Sequence, residues 1–185
     1  MELRPFTIPN LLTVARLVSL PFLIAFIRKD AHGAALGIFL AASLTDIIDG
    51  YLARRFGMGS RIGAILDPVA DKLFCISMLA VLAMPSTPST IHVPVPLLVL
   101  VLVRDVLMIL AGLVLYFGFR VRQFPPLPLG KANTFFEIAT VVAILLNNIG
   151  AMPAAVARVG FWLIGICTVA SGVQYVLRTR NLPRE

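Results

Sequence analysis

The stretch TDIIDGYLARRFGMGSRIGAILDPVADK, residues 45–72, decides how the chain is read: four aspartates, Asp46, Asp49, Asp67 and Asp71, stand between segments that are otherwise almost wholly apolar. Asp46, Asp49, Gly50 and Ala53 follow an i, i+3, i+4, i+7 series, so on a helix they share one face. After a turn-like segment from Arg54 to Arg61, the residues Gly63, Asp67 and Asp71 recur every four positions and form a second stripe. The two acidic stripes are expected to meet across a tight helical hairpin. Carboxylates crowded together in a low-dielectric setting repel one another unless a cation sits among them. An all-oxygen ligand set favours a hard divalent ion such as Mg²⁺, Mn²⁺ or Ca²⁺ over zinc.

Written out, the spacing is D-x2-D-G-x2-A-R-x8-G-x3-D-x3-D, read from Asp46, Asp49, Gly50, Ala53, Arg54, Gly63, Asp67 and Asp71. This resembles the signature of the CDP-alcohol phosphatidyltransferases, integral membrane enzymes that build phospholipid head groups. The resemblance implies that Asp46, Asp49 and Asp67 bind the metal, Mg²⁺ or Mn²⁺. It implies that Asp71 is the base that takes the acceptor's hydroxyl proton, or a further metal ligand; spacing does not decide between the two. Gly50, Ala53 and Gly63 would leave room for the CDP moiety, and Arg54 would pair with its phosphates. CDP-diacylglycerol as donor and a homodimeric assembly are likewise implied by the family.

The likeness extends beyond the motif. The opening IPNLLTVARLVSLPF (residues 8–22), the LDPVADK segment (66–72), the pair Arg104 and Asp105, and the step Gly130 to Lys131 look like the glycerol-type branch, which includes phosphatidylglycerophosphate synthases and eukaryotic-type cardiolipin synthases. Phosphatidylglycerophosphate synthases usually carry Arg-Glu in the fourth span and a second arginine about two turns later. Here the pair is Arg-Asp and the later place falls near Gly112. Losing a cation there weakens the case for the doubly charged glycerol 3-phosphate. The expected acceptor is therefore phosphatidylglycerol, giving cardiolipin, with glycerol 3-phosphate as the alternative.

Composition places the chain in a bilayer. Its 185 residues are 59% hydrophobic, with a mean hydropathy of +0.94, too apolar for an ordinary soluble domain. The net charge of +7 is spread over short loops between apolar segments and forms no nucleic-acid-binding face, which leaves membrane lipids as the anionic partner. Cys75 and Cys167 lie in apolar segments without metal-ligand spacing and read as packing residues. The first apolar segment lacks a strong basic flank and a clear cleavage site and carries Arg16, so it reads as a retained span rather than a signal peptide.

The pattern predicts an all-α bundle of six transmembrane helices forming one domain over residues 1–185, with spans near 11–27, 33–54, 61–84, 96–119, 131–147 and 153–177. The first span is capped by Asn10 or Thr13 and open to a bend at Pro21. Arg16 either snorkels to the head groups or points inward at a phosphate, and is a candidate acceptor-binding residue. In the second span, Gly33-x3-Gly37 with Ala41 and Ala42 predicts close helix contact. Pro68 predicts a local kink in the third span, and Lys72 is read as half of a neutralising ion pair or as a substrate contact. The proline-rich stretch 85–96 is a loop in which His92, like His32 earlier, is expected to be exposed. Arg104 and Asp105 lie deep in the fourth span, as an interior ion pair or with Arg104 contacting the acceptor. Lys131 is an interfacial anchor or an anion ligand, and Asn133 and Glu137 should face the interior.

Six spans put both termini on one side. That side carries ten basic loop residues, among them Arg54, Arg55, Arg120 and Arg178, against Arg28, Lys29 and Arg158 on the other. The positive-inside rule then makes the termini and the aspartate hairpin cytoplasmic, in a multi-pass protein of the cell (inner) membrane. Two other classes use buried acids. An ion or proton transporter needs them spread across the membrane depth, whereas these cluster at one interface. An intramembrane prenyltransferase typically has more spans and widely separated aspartate motifs.

Overall fold

A computed structural model describes the backbone of residues 8–56, 63–118 and 128–180 and the side chains of residues 11–45, 69–110 and 129–174. The described chain is entirely helical: α1 (Ile8–Arg28), α2 (His32–Phe56), α3 (Gly63–Ala83), α4 (Val95–Gly118), α5 (Pro128–Asn148) and α6 (Ala154–Arg180). The helices run 21 to 27 residues, about 30–40 Å at 1.5 Å per residue, enough to cross a bilayer core. By length and composition together, three stretches among the described residues qualify as spans: Leu11–Arg28, Leu129–Asn148 and Ala154–Gln174. This is the architecture of an integral membrane helical bundle, as the apolar segments predicted.

The helices form a ring in the order α1, α2, α5, α6, α4, α3 and back to α1, with α3 and α5 also touching across the middle. That contact divides the bundle into an α1–α2–α5–α3 half and an α3–α5–α6–α4 half. The core is packed by Leu23, Ile27, Phe39, Phe74, Met78, Leu82, Ile144 and Leu145, with the rings of Phe39 and Phe74 stacked at 5.3 Å. Outward faces remain apolar, as lipid as solvent requires: α4 turns out Val95, Val99, Val103, Val106, Leu107 and Leu110, and α6 turns out Trp162 and Ile166. α5 and α6 approach so closely that a Cβ at Gly160 would overlap the Thr140 side chain.

One end of the bundle is closed by local hydrogen bonding. α1 and α5 end alike: the amide of Ala31 donates to Phe26 O and that of Asp30 to Ile27 O, and the amide of Ala151 donates to Leu146 O and that of Gly150 to Asn147 O. Both are Schellman caps, with Asp30 (φ 60°) and Gly150 (φ 76°) in the left-handed conformation that such caps require. The loop after α3 is tied down by Thr87 Oγ1 donating to Val81 O (2.6 Å), by Asn148 Oδ1 accepting from the Thr90 amide (3.0 Å), and by the amide of Val93 donating to Leu82 O (3.1 Å).

Two expectations are corrected here. His32 is buried, not exposed: the loop after α3 folds over it and places Pro88 O 2.6 Å from its Nε2, and Asp30 Oδ1 of the α1 cap lies 3.0 Å from the same atom. Gly33 and Gly37 face outward, with nothing within 4 Å of a Cβ built on either, so among the described residues they pack against no helix. The neighbouring Ala35 and Phe39 take the inward face instead. His92 is exposed, as expected. The kink expected at Pro68 lies outside the described side chains, whereas α1 runs through Pro21 as one helix.

Candidate functional site

The site lies at the end of the bundle opposite those caps, where α2 finishes and α3 begins. Asp46, Asp49, Gly50, Ala53 and Arg54 fall in the last part of α2, and Gly63 and Asp67 in the first turns of α3. The side chains of these seven lie outside the described residues. Asp71, the last aspartate of the motif, is described. It sits eight residues into α3, and Arg16 sits eight residues into α1, so the two reach the same depth, about 12 Å from their helix starts. Arg16 is buried and its Nη1 donates to Asp71 Oδ1. Arg16 points inward, as one of its two readings had it, and its partner there is a carboxylate. Its guanidinium points at the carboxylate rather than at the head groups.

Around this pair the four helices of one half leave a cavity of about 20 Å³, lined by Arg16 from α1, Ser43 from α2, Asp71, Phe74 and Cys75 from α3, and Thr134 and Ile138 from α5. That is roughly the room one water needs. Ser43 Oγ, buried at this wall, has no hydrogen-bond partner among the described residues.

Immediately behind Thr134, in the other half, lies a buried charged cluster. Lys72 Nζ is 3.0 Å from Asp105 Oδ2, 3.3 Å from Thr134 Oγ1 and 4.0 Å from Glu137 Oε2. Arg104 Nη1 pairs with Asp105 Oδ1 at 2.5 Å, and Arg104 Nε donates to Ser171 Oγ at 3.0 Å. Glu137 Oε1 accepts from Asn133 Nδ2 at 2.5 Å, and Asn133 Oδ1 in turn accepts from Thr168 Oγ1 at 2.9 Å. Charge burial on this scale requires ion pairing and hydrogen bonding; every charge here has an ionic partner, while Arg104 Nη2, Asp105 Oδ2 and Glu137 Oε2 make no hydrogen bond among the described residues. The Arg104 guanidinium reaches from α4 toward the start of α5, where a Cβ built on Gly130 would lie 3.4 Å from its Nη2, an ordinary packing distance.

Arg104 and Asp105 thus form the interior ion pair anticipated in α4, and Asn133 and Glu137 face inward as predicted. Lys72 is the cation of an ion pair, but with Asp105 and Glu137 on other helices rather than with its neighbour Asp71. Lys131 is exposed. Cys75 is buried and Cys167 partly so, and both are free thiols. The contributions of Thr134, Thr168 and Ser171 were not foreseen. The signal for them was present: Asn133, Glu137 and Thr140 on α5, and Thr168 and Ser171 on α6, recur at helical spacing in otherwise apolar segments.

A carboxylate-only donor set, divided between the end of one helix and the start of the next, suits a hard divalent cation. Asp71, the described aspartate of the motif, is paired with the guanidinium of Arg16.

The fold and the polar junction define a class: a polytopic helical membrane protein whose motif aspartates fall in the last part of α2 and the first half of α3, at one end of its bundle. Comparison with known proteins then gives the family. The family model for CDP-alcohol phosphatidyltransferase matches residues 6–172, and the chain belongs to that family. The family is in general dependent on a divalent metal. A cardiolipin synthase (CMP-forming) from Streptomyces coelicolor is 32% identical, with 98% of this chain and 86% of the relative covered. A CDP-diacylglycerol–glycerol-3-phosphate 3-phosphatidyltransferase from Rickettsia bellii is 30% identical, with 91% and 92% covered. A cardiolipin synthase (CMP-forming) / mitochondrial hydrolase fusion protein from Schizosaccharomyces pombe is 33% identical over 97% of this chain but only 32% of its own length. The chain spans about a third to a half of the length of several curated relatives it matches.

Proposed function

We propose that the protein transfers a phosphatidyl group from CDP-diacylglycerol to a glycerol-type alcohol, with release of CMP. The observation that carries the reading is the position of Asp71. The last carboxylate of the family signature lines a small, partly open cavity and is paired with Arg16. The hydroxyl oxygen of the acceptor attacks the phosphorus that bears diacylglycerol, the bond from that phosphorus to the CMP oxygen breaks, and the hydroxyl proton passes to Asp71. A base must lie within about 3 Å of the proton it takes, so the acceptor hydroxyl has to enter the Arg16–Asp71 cavity.

Asp46, Asp49 and Asp67 would hold Mg²⁺ or Mn²⁺, which neutralises the diphosphate and the charge that builds on departing CMP. Arg54 would pair with the same phosphates, with Gly50, Ala53 and Gly63 leaving space for the nucleotide. Arg104 and Lys131, with Arg16, are assigned to the acceptor side. The proposed acceptor is phosphatidylglycerol, giving cardiolipin, which agrees with the names of several relatives. The proposed setting is a homodimer in the cell (inner) membrane, with the aspartate hairpin cytoplasmic.

The test is CMP release by purified protein with CDP-diacylglycerol and Mg²⁺ or Mn²⁺, with and without phosphatidylglycerol or glycerol 3-phosphate, and products resolved by mass. Release should require an acceptor and be abolished in Asp49→Asn; undiminished turnover in that variant would remove the metal assignment. A glycerophosphate product formed in preference to cardiolipin would reverse the choice of acceptor.

A further inference from the structure

We infer that Glu137 sets acceptor specificity by cancelling the charge of Lys72, so that the site takes a singly charged phosphodiester alcohol and discriminates against a doubly charged phosphomonoester. The inference rests on the proposed reaction, in which the acceptor hydroxyl meets Asp71. Thr134 joins the cavity to the charged cluster. It lines the cavity that Asp71 faces, and its hydroxyl lies 3.3 Å from Lys72 Nζ on the opposite side. The acceptor's phosphate, one glycerol unit from its reacting hydroxyl, therefore lies within roughly 10 Å of the charged cluster.

The cluster contains two cations, Lys72 and Arg104, and two carboxylates, Asp105 and Glu137. Asp105 engages both cations. Glu137 is fully buried, has one oxygen held by Asn133, and directs the other, which lacks a hydrogen-bond partner among the described residues, toward Lys72 at 4.0 Å. Without Glu137 the cluster would present one net positive charge behind Thr134. With Glu137 ionised the net charge is zero, and nothing there rewards the second negative charge of a phosphomonoester. Lys72 is the least buried member, its side chain 22% exposed, and is thus the cation nearest to release if its counter-charge is removed.

The experiment measures, in the full chain in detergent or liposomes, the inhibition constant of glycerol 3-phosphate against cardiolipin formation, relative to the KM for phosphatidylglycerol. Removing one unit of negative charge roughly 10 Å away, at an effective dielectric of about 20, favours the extra charge of the dianion by roughly tenfold. Glu137→Gln, which keeps shape and the Asn133 contact, should lower the ratio about tenfold. Lys72→Met added to Glu137→Gln restores neutrality and should return the ratio toward wild type, which a merely structural disturbance would not do. If Glu137→Gln cannot be recovered folded, Lys72→Met alone carries the test with the sign reversed, raising the ratio about tenfold. An unchanged ratio in whichever single variant is measured, or a double variant displaced as far as Glu137→Gln, overturns the inference and leaves the proposed reaction intact. A wild-type protein that makes no cardiolipin from phosphatidylglycerol overturns the choice of acceptor, and the inference with it.

Discussion

Asp105 is the residue on which the buried charge depends most, and Asp105→Asn exposes how much. Its carboxylate, 2% exposed, is shared by Arg104 Nη1 at 2.5 Å and Lys72 Nζ at 3.0 Å. Neutralising it leaves two cations in the interior with Glu137, 4.0 Å from Lys72, as the remaining carboxylate of the cluster. Breaking a buried pair from one side typically costs 3–5 kcal/mol, roughly the penalty of the charge left behind. Because Lys72 is partly exposed and can turn toward water, the lower figure of about 3 kcal/mol is the appropriate one. For a chain of this size that corresponds to a fall of about 6–12 °C in unfolding midpoint. The assay is the fraction of detergent-solubilised protein that stays monodisperse by size exclusion after brief heating. Lys72→Met in the same chain removes one of the stranded cations and should recover part of the loss. A drop smaller than about 2 °C for Asp105→Asn alone would refute the claim that this network bears on stability.

Two further predictions concern packing and backbone. Gly160→Ala places a methyl group against the Thr140 side chain and should cost about 1–3 kcal/mol, partly recovered by Thr140→Ala, as read by the same heating assay. At the two Schellman caps, Gly150→Ala should destabilise by about 1–2 kcal/mol because φ there is 76°, whereas Asp30→Gly should be neutral or stabilising before the loss of its His32 contact is counted; equal effects at both sites would contradict the cap assignment.

Much of this molecule could be read from the order of its residues. Apolar length against bilayer thickness located all six helices, because in lipid the backbone must satisfy itself within each segment. Arg16, Arg104, Asp105, Asn133 and Glu137 stood out for the same reason, since polar side chains inside apolar helices are costly and turn inward. Which of them meet was not legible. Lys72 stands beside Asp71 in the chain, yet successive helical residues point about 100° apart, so the first reaches α4 and α5 while the second reaches α1. The small-residue series Gly33, Gly37 was misread because such a stripe marks where a close neighbour fits, without saying whether the same chain supplies one. His32 was misread because its burial depends on a loop some 55 residues away closing over it.

α3 is a partition shared by two chambers, and its consecutive charges are fastened on opposite sides: Asp71 to α1 in one chamber, Lys72 to α4 and α5 in the other. A helix bolted this way behaves as a common axle. A rigid rotation that swings Asp71 out of its cavity turns the Lys72 Cα–Cβ bond by the same angle, so the pairings in the two chambers share one helix.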